Sequence, residues 1–458
     1  MFKKIEIWIL YLFIILSILF AILFGTLVRQ ELVGSTKLGW VSKLALQLAE
    51  MPVNIRDFLL PTNRTKDRFP NLKKGFNGSS NFYESFMLLS RFDGDLNQGV
   101  VELIDLTNFQ ILHTWNPNID DFNNLVIQEN EFVYLNRDKN DKRSFFRHPL
   151  LTNDGGLLIK EFSPLRKIDS CSNLIFQNTH DIFHHSIETD YEGNIWAVTS
   201  AYPQTLPKEQ VGRNIHQHSG FMDDAIVKLS SKGEVLYEKS VASIFIDNGL
   251  EYLLFSVGEA KANNIYLFNP DPIHLNDIQP VNQDGDFWKK GDLFLSLRHQ
   301  SMVLLYRPSN NKIIWKSVGH FFQQHDVDII DNHRISIFNN NSKNFVDRNR
   351  VDGHNKVVIY DFKSNEYSEY LSDSFREHDI RTITQGLSEI LPNGDLFVEE
   401  TNYSRILYFN SDGSLRWSYL NRGNDNNTYT LGWSRILATK DEVDLVKNFL
   451  EKRGSCYE

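Results

Sequence analysis

One unit recurs along most of this chain and restricts the folds open to it: a short apolar strand, a polar turn, and a second strand that often ends on an aromatic. It is written "VVELIDLTNFQILHTW" at 100–115, "AIVKLSSKGEVLYEKS" at 225–240 and "SMVLLYRPSNNKIIWKS" at 301–317. It returns as "KVVIYDFKSNEYSEYL" at 356–371 and "RILYFNSDGSLRWSYL" at 405–420, with a weaker copy in "SFFRHPLLTNDGGLLIKEF" at 144–162. Each turn carries Asn, Asp, Ser or Gly, the residues that tolerate positive φ or bond their own backbone. Between these hairpins lies a second pattern, "HHSIETDYEGNIWAVTS", "HDVDIIDNHRISIFNN" and "GLSEILPNGDLFVEET", again strand, turn and apolar strand. Two hairpins in succession make a four-stranded sheet, and the repeat length of roughly 45–80 residues is that of propeller blades with insertions. Six hairpins predict an all-β fold, a six-bladed β-propeller. A large β-sandwich would leave the paired repeats unexplained.

The 458 residues are enough for one such assembly, and 33 Phe supply a large core. The net charge of −10 argues against nucleic acid and against an anionic membrane surface as partners. Cys171 and Cys456 are the only cysteines. They form no zinc motif and no disulfide framework, and a single bridge between them is open in an oxidising compartment.

Before the repeats, "IWILYLFIILSILFAILFGTLV" at 7–28 carries no charge and as a helix would span about 33 Å. Lys3 and Lys4 precede it, while Arg29 and Glu31 nearly cancel after it. The expected topology is therefore a cytoplasmic N-terminus at 1–6 and a transmembrane anchor at 7–28. A juxtamembrane helix and linker would fill 29–80, with an extracytoplasmic, periplasm-facing propeller at 81–435 and a terminal helix or tail at 436–458. The rival reading of the apolar run is a cleaved signal peptide, but no small-x-small site follows it. "GWVSKLALQLAEMP" at 39–52 has the spacing of a short amphipathic helix. The tail places Val443, Leu445, Val446, Phe449 and Leu450 on or near one helical face, to cap a blade or to join a homodimer interface.

In a propeller the innermost strands line the central channel, and residues at their starts converge on one mouth. Four segments put polar groups there. They are His184 and His185 in "FHHSIE"; His274, Asn276 and Asp277 in "DPIHLNDIQPV"; Arg298, His299 and Gln300 in "GDLFLSLRHQSM"; and Gln324, His325 and Asp326 in "QQHDVD". One histidine in a strand is commonly a packing residue. Here the positions recur in phase with the blades. A strict period of two would send His184 and His185 to opposite faces, so that only one lines the channel.

The order "HLND", "GDLFLSLRHQS", "KIIW", "QHD" resembles the arylsulfate sulfotransferase family, densely over 180–345 and more thinly to about 435. The resemblance implies a six-bladed propeller that moves a sulfuryl group from an aryl sulfate ester to a phenolic or other hydroxyl acceptor, without a nucleotide donor or any other cofactor. It implies that His325 is the nucleophile, forming a transient sulfohistidine. His274, Arg298 and His185 would hold the sulfuryl oxygens and help the phenolic oxygen leave, with His184 as the alternative to His185. Asn276, Asp277, His299, Gln300, Gln324 and Asp326 are expected to bind or orient. The chain departs from the family pattern at Pro272, where a Trp is frequent, and at Asp277, where a Ser is frequent. Asp277 either adds negative charge beside an anionic donor or orients a histidine.

The residue types suit that chemistry. Arginine forks to two sulfate oxygens and stays charged. A neutral imidazole is a nucleophile near neutral pH, and a charged one can protonate the leaving oxygen. Two other functions compete: a His-rich metal-binding propeller enzyme, disfavoured by the fixed charge of Arg298, and a non-catalytic propeller that binds a ligand or partner. No metal is expected. His216 and His218 in "NIHQHSG" read as a polar loop, and the five Asn-x-Ser/Thr matches in this Asn-rich chain are given no role.

Overall fold

A computed structural model describes residues 6–32, 38–59, 63–126, 140–180, 182–211, 221–255, 260–262, 265–267, 269–345 and 348–454. The chain divides into two compact units. The first comprises Met1–Thr62, Pro207–Phe221 and Ser256–Pro270. It holds a helix Ile7–Leu32, a helix Gly39–Leu59 and a small hairpin, Ala260–Ala262 with Ile265–Leu267. The first helix is long and apolar enough to cross a membrane. The second continues past the expected amphipathic stretch and through Pro52. Ser42 Oγ donates to Glu31 Oε2 at 2.8 Å and so links the two helices. His216 and His218 lie outside the described residues.

The second unit is a six-bladed β-propeller of antiparallel four-stranded sheets. Blade 1 contains Phe86–Asp93, Gln98–Asp105 and Gln110–Trp115, and its innermost strand is Arg435–Leu437 from the far end of the chain. Blades 2 to 5 span 150–178, 182–240, 275–318 and 327–370. Blade 6 spans 387–420 and takes a fifth strand, Gly75–Gly78, on its outer edge against Trp417–Leu420. Five of the expected hairpins are the outer strand pairs of their blades. The weaker one is out of phase: its Leu150–Leu151 and Leu157–Ile159 are the inner pair of blade 2, and the outer pair is Leu165–Ile168 with Leu174–Asn178.

Burial explains the sequence texture. Middle strands are sandwiched between neighbouring blades, so Leu293–Leu297 is buried throughout and Met302–Arg307 nearly so, and both are mostly apolar rather than alternating. Outer strands are covered on one face only, and Lys312–Val318 alternates. Gly233 closes the blade 3 hairpin at φ +83, where a side chain would collide with the Phe176 ring.

Each inner strand is pinned at its start by a polar side chain of the blade before it. Ser163 Oγ of blade 2 accepts the Phe183 N–H at 2.8 Å. Asp224 of blade 3 accepts from Leu275 at 2.6 Å, and Asp277 of blade 4 accepts from Val327 at 3.0 Å. Asp326 of blade 5 accepts from Ser388 at 2.9 Å. Glu399 of blade 6 closes the ring by accepting from Trp433 at 2.9 Å and Ser434 at 2.7 Å. From blade 1, Ser90 Oγ donates to the Phe146 carbonyl just ahead of blade 2. Gly432 lets that carbonyl approach, since a Cβ there would overlap it.

The C-terminal helix Lys440–Lys452 starts on a capping box between Thr439 and Glu442. It buries Val443, Val446 and Phe449 against Phe86, Leu88, Trp115 and Leu157 of blades 1 and 2. Cys171, in the turn of blade 2's outer hairpin, is disulfide-bonded; the chain's other cysteine, Cys456, lies outside the described residues. Glu399→Ala should lower the unfolding free energy by about 2–5 kcal/mol, because it strands two buried N–H groups. Glu399→Gln, which keeps an acceptor, should lose less. Urea unfolding of the purified chain measures both, and an unchanged midpoint in the alanine variant would show that the pinning contributes nothing.

Candidate active site at the channel mouth

A residue in the left-handed region stands just ahead of each inner strand or as it begins. The six are His148, His185, His274, Gln323, Gln385 and Trp433, with φ between 50° and 60°. For residues other than glycine this conformation costs of order 1–3 kcal/mol each. It recurs around the ring and turns six side chains toward one mouth.

The structure brings the predicted histidines together there. The His185 ring lies 5.3 Å from that of His274 and 6.2 Å from that of His325, centroid to centroid. All of His325 is buried. Its Nδ1–H donates to Asn340 Oδ1 at 2.6 Å, and its Nε2 accepts the Gln385 N–H at 2.8 Å. The lone pair is therefore on Nε2. Burial holds this imidazole well below its ordinary value, and the positive field of Arg298 adds to the effect.

His184 and His185 do not take opposite faces. The pairing of Ile182–Thr189 with Ile195–Ser200 slips between Ala197 and Val198, which bulges out His185 and Ser186. The two Nδ1 atoms come within 2.7 Å. His184 Nε2 lies 3.2 Å from Asp224 Oδ1 and 3.3 Å from Ser200 Oγ. Asp224, His184 and His185 thus form a relay that ends on His185 Nε2 at the mouth. Burial lowers His185 well below its ordinary value, and His184 and His274 push the same way.

His274 Nδ1 is 2.5 Å from Asp271 Oδ2. Asp271 was not among the expected residues. Burial pushes its carboxyl up, but the His274 bond and the charges of His274 and His299 outweigh that and leave it below its ordinary value. Arg298 reaches Gln323 Oε1 at 2.9 Å and His299 Nε2 at 3.0 Å, while its Nε is buried without a partner. His299 Nδ1 donates to the Asp271 carbonyl at 2.6 Å. Burial lowers His299, so its ring steers the guanidinium as a neutral group.

The remaining expected residues support this arrangement from behind. Asn276 donates to the Gln324 carbonyl at 2.9 Å, and Gln324 donates to the Met302 carbonyl at 2.8 Å. Gln300 donates to the Pro272 carbonyl at 2.6 Å. Asp277 touches no histidine: it is 2 % exposed, bonded to Val327 and Ser186, and burial raises it to about 6. Asp326 is likewise bonded to Ser388 and raised by burial.

Three further groups escaped the sequence reading. Trp433 is fully buried, with its ring 5.9 Å from His185 and 6.1 Å from His325. The Arg147 guanidinium lies 5.9 Å over that indole. Lys160 Nζ bonds the His185 carbonyl. Arg298 and Arg147 place two guanidinium groups beside the histidines, as a site for an anion requires, whereas burial and the neighbouring Arg147 and Arg435 hold the Lys160 ammonium well below its ordinary value.

The arylsulfotransferase (ASST) family model matches residues 148–422. No curated protein matches the sequence. Among solved structures, a protein of unknown function from Bacteroides caccae is 12% identical, at TM-score 0.45, over 78% of this chain and 100% of that one. Hydrazine synthase of Kuenenia stuttgartiensis is 11% identical, at TM-score 0.37, over 68% and 71%. A virginiamycin B lyase of Staphylococcus aureus is 10% identical, at TM-score 0.32, over 61% and 72%. The family match spans more than half of the chain and all four predicted catalytic positions, and the protein belongs to the arylsulfotransferase family.

Proposed function

We propose that the protein transfers a sulfuryl group from an aryl sulfate to a phenolic or other hydroxyl acceptor through a sulfohistidine at His325. The observation that carries this reading is the meeting of His185, His274, His325 and Arg298 at one channel mouth. Arg298, with Arg147 behind it, holds the anionic donor. His325 Nε2 attacks sulfur, and the S–O bond to the aryl group breaks. The phenolic oxygen leaves with a proton from His274, whose imidazolium is stabilised by Asp271. In the second half-reaction the acceptor hydroxyl attacks sulfur, its proton passes to a histidine, and the N–S bond breaks, returning His325. The Gln385 N–H, 2.8 Å from Nε2 in the resting state, can then bond a sulfuryl oxygen. The helix Ile7–Leu32 would anchor the enzyme, with the N-terminus cytoplasmic and the propeller periplasmic or otherwise extracytoplasmic.

A metal enzyme is the second reading, favoured by one observation: ligand atoms of Asp271, His274 and His299 lie within 4.8 Å of one another. Against it, the Arg298 guanidinium donates to His299 Nε2, where a metal would compete with a fixed cation. Stoichiometric metal in the purified protein would favour this second reading.

A radiolabelled aryl sulfate without acceptor should leave an acid-labile label on His325 that is lost in His325→Asn. Full phenol release by that variant would overturn the assignment. Because His325 is held well below 6.5, the rate of enzyme sulfation by a nitrophenyl donor, which needs no proton from His274, should stay flat from pH 8 to pH 6 and fall only below that. An acid limb centred near pH 6.5 would mean an ordinary imidazole. Asp271→Asn should slow phenol release about 10²-fold for donors with poor leaving groups. It should change little for a nitrophenyl donor, which needs no proton. Equal losses for both would point to a merely structural Asp271.

A further inference from the structure

Past the histidines the inner strands surround a chamber of about 1070 Å³. It shares His148, Asp326 and Ser388 with the residues described above for the mouth. Its wall carries Glu188 from blade 3, Asp326 and Asp328 from blade 5, Glu389 from blade 6 and Glu442 from the terminal helix. Arg435 of blade 1 neutralises Glu188, at 3.0 Å. Asp326 is used by the Ser388 N–H, and Glu442 by the helix cap. Asp328 and Glu389 are left over: among the described residues neither carboxylate has a hydrogen bond or an ion pair.

Two hydroxyls point to an occupant independently. Ser336 and Ser388 line the chamber, are 1 % exposed, and have no hydrogen-bond partner for Oγ. Ser336 stands across the strand pair from Asp328, and Ser388 precedes Glu389. Asp328 therefore comes with a free hydroxyl on its own face of the strand pair. Buried polar atoms rarely go unsatisfied.

The layout selects the kind of cation. A hard metal ion needs several oxygens on one centre. Among the described residues, the only His, Cys, Asp or Glu group that close is Asp271, His274 and His299, which belongs to the mouth. The chamber's carboxylates come from different blades, and Ile329, Leu387, Ile390 and Ile436 also line its wall. Separated anionic points on an apolar wall match ammonium groups joined by methylenes, each ammonium offering three donors.

We propose that the chamber binds an aliphatic diammonium or polyammonium cation, held by Asp328 with Ser336 at one point and by Glu389 at another. Burial holds both carboxyls well above their ordinary values, and each raises others nearby, a strain that a bound cation relieves. The inference does not depend on the sulfuryl-transfer reading.

Calorimetric titration of the detergent-solubilised full chain with putrescine and with spermidine, at fixed ionic strength, tests it. Saturable one-site binding is expected, weakened at least tenfold in Asp328→Asn and in Glu389→Gln. Glu366→Gln, on an exposed outer strand, should bind as the parent does. Should Asp328→Asn fail to fold, Glu389→Gln carries the comparison. Absence of saturable binding, unchanged affinity in the folded variants, or displacement of spermidine by stoichiometric calcium or magnesium would overturn the proposal.

Discussion

A buried carboxylate bonded to the first N–H of the neighbouring blade is the interaction on which the rest of this molecule rests. Asp224, Asp277, Asp326 and Glu399 each perform it, and Ser163 makes the same link with a hydroxyl. Hydrophobic packing holds blades together but is indifferent to small slides along the strands. A hydrogen bond to one chosen N–H is not. It fixes where each inner strand starts, and hence the height at which the mouth residues stand. Left-handed residues at His185 and His274 persist because the strands behind them are tied to a neighbouring blade.

The same interaction accounts for the departure from the family pattern at Asp277. Read alone, an acid near a sulfate site looks adverse. In the fold its carboxyl bonds Val327 and Ser186, and burial favours its neutral form below about pH 6. Asp271 has the opposite task. It sits against two histidines, stays ionised, and fixes the tautomer of His274. Two aspartates six residues apart are separated in role by their surroundings alone.

Much of the architecture was legible because hairpins leave a local mark: outer pairs join strands adjacent in sequence through Asn, Asp and Gly turns. What was not legible is non-local or too short to mark. Arg435–Leu437 is three residues long and pairs with a strand near the opposite end of the chain. Gly75–Gly78 has no apolar alternation at all. The slip at His185 broke the period-two rule, and nothing in "FHHSIE" announces a bulge. His185, His274 and His325 were readable because they share a phase with the blades, whereas Arg298 follows the second strand of blade 4, Leu293–Leu297, and was readable only through the family resemblance. Asp271 could have been found from its spacing of three before His274. Trp433, Arg147 and Lys160 could not, since only ring closure carries Trp433 beside His185.

That closure sets an order of events. The innermost strand of blade 1 and the indole at the mouth both belong to the last thirty or so residues, whereas the strands they complete lie near the beginning of the propeller. A chain made from its N-terminus can form blades 2 to 6 as they emerge, but it remains an open arc with an unsealed edge until residue 437 is available. Prematurely ended copies would therefore keep most of their sheets and still lack a working centre. Completeness of the polypeptide is checked by the geometry of the ring itself.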